Sequence, residues 1–130
     1  MWVFEQETGR VLDRTGNHVA TGYAGRDFDD DGKEVDGKNN GDKQNVKGIG
    51  PLPVGCYTIT SPRLSLTVGK YAMPLIPFPT TNIFGRSSFY IHGDSASHPG
   101  AASHGCIVLD RLTRQLIWES NDHDIRVVRG

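Results

Sequence analysis

The chain has 130 residues, a formal net charge of −1 at pH 7, 36% hydrophobic residues and 16 glycines. This length suits a single domain over residues 1–130, and the glycine content favours a turn-rich, mainly β chain over a helical bundle. The charge indicates no basic surface for a nucleic acid. No apolar run approaches the roughly 20 residues that span a membrane. We therefore expect neither a nucleic acid nor a membrane as a partner.

The first part of the chain predicts a three-stranded meander followed by a long polar loop. Apolar and β-branched residues alternate over 2–5, 10–13 and 18–23, with glycine-containing turns between them. Residues 24–50 are instead rich in Asp, Asn and Gly. The acidic run at 29–31 lacks the spacing of a calcium-binding EF-hand loop, so we expect a solvated loop. Loops this long in a small domain often form binding walls.

The second part of the chain predicts more strands. They are expected over 56–61, 64–68, 89–92, 107–109 and 125–128. The stretch 71–77 is also apolar, but it contains Pro74 and Pro77. A proline has no N–H to donate to a sheet ladder, so we expect 71–77 to form an edge strand.

One helix is predicted near the C-terminus, over about residues 111–121. Asp110 stands directly before it, and a carboxylate at that position can accept hydrogen bonds from the unpaired N–H groups of the first turn. Leu112 and Leu116, together with Ile117, are expected to form the apolar face that packs on the sheet. The predicted fold is therefore mainly β with one C-terminal helix.

The candidate active site lies where two of the predicted strands end and begin. The strand at 89–92 ends at His92, and Cys106 directly precedes the strand at 107–109. A loop rich in Ser, Pro and Gly joins them. If the two strands pair, the thiol comes within hydrogen-bond reach of the imidazole, as a cysteine nucleophile requires.

The residues beside the cysteine and the histidine suit this chemistry. A free thiol has a pKa near ~8.5, so a neighbouring imidazole is needed to take its proton. Gly105 leaves the backbone open beside Cys106, so N–H groups there are expected to hold an oxyanion. Gly93 leaves its own carbonyl open, and that carbonyl is expected to orient the imidazole of His92 through the second ring nitrogen.

These motifs resemble a known family. The string from His92-Gly93-Asp94-Ser95 through His98-Pro99-Gly100 to Ser103-His104-Gly105-Cys106 is similar to the signature of L,D-transpeptidase catalytic domains, and most similar to their small tlde1-type branch. That branch contains L,D-carboxypeptidase and transpeptidase toxins of type VI secretion systems and related phage and bacterial proteins. Upstream stretches support the resemblance: Gly37-Lys38-Asn39-Asn40, Gln44-Asn45-Val46, Gly50-Pro51-Leu52-Pro53 and Phe84-Gly85-Arg86-Ser87.

The resemblance implies a fold and an activity. The fold would be the β-sandwich or barrel of an L,D-transpeptidase catalytic domain. The enzyme would cleave the L,D bond of peptidoglycan stem tetrapeptides, or exchange the terminal D-Ala for a free D-amino acid, without a metal or an organic cofactor. The short gap between His92 and Ser103, and the apolar Val108 and Leu109, fit the toxin-like branch better than the large cross-linking enzymes.

The resemblance also implies partners and a route of delivery. An antibacterial effector would have an immunity protein and would use a secretion machinery. The N-terminus has no basic start, long apolar middle or small-residue cleavage site. We therefore expect synthesis in the cytoplasm and action in the periplasm or cell wall of a target cell, after type VI-like or phage-mediated delivery.

Further residues are expected around the reacting pair. Ser103 is expected to organise the turn, and His104 to shape the oxyanion site or the pocket. The family places Asn39, Asn40 and Gln44 near the substrate groove. Arg86 is expected to meet a substrate carboxylate, because a guanidinium fork suits that group. Asp94 is expected either to contact the site or to cap the loop.

The same residues also allow interpretations other than a cysteine active site. His92, His98 and His104 are spaced six apart, and with Asp94 and Cys106 they would also suit a zinc-dependent peptidoglycan peptidase. A cell-wall binding module that has lost activity is a further alternative. Cys56 is expected to pack as a small buried residue. A disulfide between Cys56 and Cys106 is the less favoured alternative, because it would abolish the chemistry of the Cys106 thiol.

Overall fold

The computed structural model describes all 130 residues and is mainly β with one helix, which confirms the predicted fold class. The strands are β1 (Trp2–Glu5), β2 (Arg10–Leu12), β3 (His18–Thr21), β4 (Tyr23–Ala24), β5 (Gly55–Ile59), β6 (Arg63–Ser65), β7 (Gly69–Pro77), β8 (Phe89–His92), β9 (Ile107–Val108) and β10 (Asp124–Val128). The helix is α1 (Arg111–Glu119). No helix in the chain combines the length and the apolar composition that crossing a membrane requires.

The strands form one sheet that curls into a nearly closed barrel. Nine of them follow the order β3-β2-β1-β10-β5-β7-β8-β9-β4, and β6 pairs with β7 at one side. The two end strands, β3 and β4, are consecutive in the chain and are separated only by Gly22. A side chain at Gly22 would lie 2.0 Å from the Val108 carbonyl oxygen. Glycine is therefore required where the two edges of the sheet meet.

The barrel encloses a core of sixteen buried hydrophobic residues. Side chains of a strand alternate between its faces, so Ile91 of β8 and Ile107 of β9 point into this core. The Tyr57 and Phe89 rings meet edge to face at 5.7 Å. The residues that alternate with Ile91 and Ile107 are consequently placed on the opposite face of the sheet.

The prediction that residues 71–77 form an edge strand is wrong, because β7 pairs with both β5 and β8. The carbonyl of Pro74 accepts a hydrogen bond from Thr60 N at 2.9 Å, and Thr60 lies just after the end of β5. The nitrogen of Pro74 faces the same side as its carbonyl, so the N–H that proline lacks would point beyond β5. Phe78 N donates to Cys56 O, so Pro77 faces the other way, beyond the start of β8. Each proline thus lies where no ladder partner needs its N–H.

The helix begins as predicted but buries a different face. The Asp110 carboxylate accepts a hydrogen bond from Thr113 N at 2.8 Å, which confirms the N-cap. The buried residues are Thr113, Arg114 and Ile117, whereas Leu112 and Leu116 are 76% and 50% exposed. Arg114 takes an inward position because its guanidinium reaches backbone carbonyls of β7, at Lys70 and Tyr71.

The long polar segment 24–50 remains almost free of regular structure, as predicted. It holds one turn of 3-10 helix, Gly41–Lys43, and an isolated bridge between Phe28 and Glu34. The Asp29 carboxylate accepts hydrogen bonds from Asp31 N and Lys33 N, both at 2.9 Å. This acidic run therefore caps its own turn.

Candidate active site

The end of β8 and the start of β9 build the candidate site. These strands pair in parallel, with Ile91 opposite Ile107 and His92 opposite Val108. Cys106 follows the same register and lies beside Tyr90. Because Ile91 and Ile107 point into the core, the side chains of His92 and Cys106 project from the other face of the sheet. The strand pairing assumed from the sequence is thus present, and it brings both residues to one cavity.

His92 is held as a neutral imidazole. Its side chain is 2% exposed, and Nδ1 donates to the Gly93 carbonyl oxygen at 2.8 Å. That oxygen can only accept, so Nδ1 carries the proton and Nε2 is left as the acceptor. Burial lowers the pKa of His92 below its ordinary value of 6.5, and the positive charge of Arg114 lowers it further. The hydrogen bond to Gly93 and the negative charge of Asp94 act in the opposite direction and raise this pKa. The arrangement provides a proton acceptor at neutral pH.

Cys106 is held as a protonated thiol. Its Sγ donates to the Ser88 carbonyl oxygen at 3.5 Å, and burial raises its pKa to about 11. The backbone N–H of Tyr90 and the charge of Arg86 act in the opposite direction. Burial therefore favours the uncharged thiol and the uncharged imidazole over a preformed thiolate–imidazolium pair. Sγ and the His92 ring line the same cavity, but the hydrogen bond expected between them is not formed in this structure.

The turn before Cys106 is organised by Ser103, which is fully buried. Its Oγ accepts hydrogen bonds from Gly25 N at 2.9 Å and Gly105 N at 3.0 Å, and donates to Cys106 O at 2.7 Å. The Gly105 N–H, expected to bind an oxyanion, is therefore already engaged. The Cys106 N–H donates to no backbone carbonyl and faces its own sulfur, so it is the donor beside the thiol.

Arg86 does not present its guanidinium to a substrate carboxylate as expected from the sequence. The residue is 4% exposed, and its terminal nitrogens donate to backbone carbonyl oxygens of the loop at 44–51 and of His104. A Cβ at position 105 would lie 2.3 Å from Arg86 Nη2. Gly105 also has a φ of +138°, so a side chain there would strain the backbone as well as displace the guanidinium.

A cavity of about 500 Å³ opens over the cysteine and the histidine. One wall comes from the polar loop at Lys47 and Gly48, and the other from the β6–β7 hairpin at Ser65, Thr67 and Val68. The sequence indicated that the 24–50 loop would form a binding wall but did not single out these residues. Nothing in their spacing or composition could have identified them, because they meet only in the folded chain.

Four residues predicted to bind substrate do not line this cavity: Asn39, Asn40, Gln44 and Asp94. They make structural hydrogen bonds instead. The side chain of Asn39 accepts from Ala24 N, that of Asn40 caps the 3-10 turn, and that of Gln44 accepts from Val54 N. The Asp94 carboxylate accepts from Tyr23 Oη and from Gly100 N, which ties down the loop between β8 and the turn at 103–106.

The three histidines considered for zinc are not gathered into one cluster. His92 and His104 line the cavity, whereas His98 is exposed and bonds to Ser97 Oγ at 3.1 Å. No three His, Cys, Asp or Glu side chains in the chain are arranged to hold a metal ion. Both cysteines are free thiols, and Cys56 is partly buried.

The fold and the site together define a β-barrel protein with a cysteine and a neutral histidine at the adjoining ends of two parallel strands. A family model of the Tlde1 domain matches residues 31–129, about three quarters of the chain, so the chain belongs to the Tlde1 domain family. The tlde1-type resemblance is thereby confirmed. This is a family of type VI secretion effectors, compatible with an antibacterial enzyme that targets peptidoglycan. No curated protein and no solved structure matches the chain.

Proposed function

We propose that the protein is a cysteine L,D-carboxypeptidase that also exchanges D-amino acids, acting on the stem tetrapeptides of peptidoglycan. The observation that carries the proposal is the parallel pairing of β8 and β9, which places the Cys106 thiol and the neutral His92 in one cavity. Membership of an effector family supports the cell wall as the target. The bond cleaved is the L,D bond between the third and fourth residues of the stem.

In the first half-reaction the Cys106 sulfur attacks the carbonyl carbon of that bond. The thiol proton passes to Nε2 of His92, whose Nδ1–H stays bonded to the Gly93 carbonyl. The developing oxyanion is held by the Cys106 N–H, and one such donor can contribute about 3 kcal/mol to the transition state. His92 then gives the proton to the nitrogen of D-alanine as the C–N bond breaks, and a thioester remains on Cys106.

In the second half-reaction a nucleophile attacks the thioester. Water, losing a proton to His92 Nε2, releases a tripeptide carboxylate and restores the thiol, which is carboxypeptidase activity. The amine of a free D-amino acid gives exchange by the same route. Both outcomes remove the tetrapeptides that donate to cross-links, which suits an antibacterial effector.

The charge of the cavity suits a substrate that carries carboxylates. Two of its lining side chains, Lys47 and Arg86, are cationic, and none is Asp or Glu. Since Arg86 is engaged by backbone carbonyls, Lys47 is the exposed cation that remains for an anion. Lys47 makes no ion pair within the chain. We assign it to the terminal D-Ala carboxylate, which a carboxypeptidase must recognise.

The effector proposal carries partners and a place of action with it. The protein is made in the cytoplasm, delivered by a type VI-like or phage-mediated route, and acts in the periplasm or cell wall of the target cell. An immunity protein protects the producing cell. These statements are supported by the family and are tested by expressing the chain with and without a periplasmic leader and scoring lysis.

A muropeptide digest tests the reaction. Purified protein is incubated with disaccharide-tetrapeptides, with and without D-Met, and the products are read by mass spectrometry beside Cys106→Ala, Cys56→Ala and a chelator arm. We expect loss of D-Ala or its replacement by D-Met, reduced at least about 1,000-fold in Cys106→Ala and unaffected in Cys56→Ala. Loss that the chelator stops would favour a zinc peptidase. Binding to sacculi without turnover would favour a binding module.

A further inference from the structure

Arg86 is a buried cation without an acidic partner. It is 4% exposed and takes part in none of the five ion pairs of the chain. Burying a charge away from water is costly unless other groups compensate for the lost hydration. Here the compensation comes from backbone carbonyl dipoles and the Phe89 ring, whose centroid lies 5.7 Å from Arg86 Cζ. The positive charge itself is not neutralised.

The guanidinium joins two segments that are distant in sequence. Nη1 donates to Gln44 O at 2.6 Å and Pro51 O at 2.8 Å, so it pins both ends of the loop that carries Lys47. Nη2 donates to Gly50 O at 2.9 Å and, more weakly, to His104 O at 3.4 Å. Four of its five N–H groups are thereby used.

The second segment is the turn that presents the nucleophile. Arg86 Nη2 lies where a side chain of Gly105 would stand, directly before Cys106. The Gly105 carbonyl in turn accepts from Leu52 N at 2.8 Å, so the turn is also tied to the chain that follows the loop. Cation, turn and loop therefore form one unit beneath the cavity.

We propose that Arg86 is a positioning residue that locks the loop at 44–51 to the nucleophile turn, and whose unneutralised charge stabilises the Cys106 thiolate as it forms. No acidic side chain lines the cavity, so nothing there offsets this field. The Arg86 charge lowers the pKa of the Cys106 thiol, whereas burial raises it. This direction agrees with a stabilised thiolate. The inference rests on the proposed role of Cys106 as the nucleophile.

Two measurements that need no peptidoglycan test the proposal. The pH dependence of Cys106 alkylation by iodoacetamide reads the thiol, and hydrogen–deuterium exchange of residues 44–51 and 103–106 reads the positioning. All variants carry Cys56→Ala, so that one thiol remains. Arg86→Lys keeps the charge without the planar fork, and Arg86→Gln removes the charge. Arg26→Lys is the control, because Arg26 also donates to a loop carbonyl, Phe28 O, away from the cavity.

We expect Arg86→Gln to slow alkylation at pH 8 about tenfold, corresponding to a rise of about one unit in the thiol pKa. The alkylation rate of Arg86→Lys should stay within about threefold of the parent rate. Hydrogen–deuterium exchange of this variant should nevertheless be faster at 44–51 and at 103–106. Arg26→Lys should change neither measurement. If Arg86→Gln does not fold by circular dichroism, Arg86→Lys decides alone: tenfold slower alkylation would overturn the charge effect.

Unchanged exchange in Arg86→Lys would overturn the positioning, and parental alkylation in a folded Arg86→Gln would overturn the stabilisation of the thiolate. An inactive enzyme on muropeptides with the expected alkylation and exchange would instead count against the proposed reaction alone. The two proposals therefore fail separately.

Discussion

Replacing Ser103 by alanine tests whether one hydroxyl holds the turn at 103–106. Its Oγ bonds to Gly25 N, Gly105 N and Cys106 O, and the residue is fully buried. Alanine leaves two N–H groups and one carbonyl without this partner, and an unsatisfied buried group costs about 1–3 kcal/mol. Because neighbouring effects are not additive, we expect the free energy of unfolding to fall by about 3 kcal/mol.

Urea denaturation followed by circular dichroism measures this loss. Ser97→Ala is the matched control, since Ser97 is exposed and its hydroxyl bonds only to Ser95 and His98 in the same loop. The control should change the free energy of unfolding by less than about 0.5 kcal/mol. A loss below about 1 kcal/mol for Ser103→Ala, with an unchanged denaturant slope, would refute the inference that this hydroxyl holds the turn.

Two further predictions concern turnover. The base must be neutral, and burial holds the pKa of His92 below 6.5, so the acid-side midpoint of the kcat/KM profile should lie below pH 6.5. A pH–rate profile with an acid midpoint above 6.5 would contradict this. Lys47→Glu should raise KM for tetrapeptides about tenfold with kcat nearly unchanged. Lys43→Glu, in the same loop but outside the cavity, should leave KM unaltered, and equal effects of the two variants would argue against a carboxylate subsite at Lys47.

Local chemistry made several features predictable. Alternation identified β1, and an apolar aromatic run identified β8. Asp110 marked the start of α1, because a capping carboxylate acts within one helical turn. The sequence also indicated that His92 and Cys106 come together, because each stands at a strand end, and the pairing of β8 with β9 brings both to one cavity. The roles of these residues in catalysis stay predictions that the muropeptide digest decides.

Two predictions were wrong, the edge position of β7 and the buried face of α1, because both depend on which segments pack beside them in the folded chain. Pro74 and Pro77 argued for an edge strand, but β7 lies inside the sheet because each missing N–H falls where a neighbouring strand has ended. Leu112 and Leu116 argued for an apolar helix face, but Arg114 is buried in their place because carbonyls of β7 accept its hydrogen bonds.

The sequence by itself determined the mainly β class and the helix cap, and it singled out His92 and Cys106 as candidates, because strand alternation, capping and thiol chemistry act over a few neighbouring residues. Only the tertiary structure decided what surrounds that pair. Arg86 was expected at a substrate carboxylate, yet it lies beneath the turn that precedes Cys106, where carbonyls of the 44–51 loop and of His104 converge. Hydrogen-bond acceptors exist in every peptide unit, so a sequence does not reveal which ones a buried cation will find.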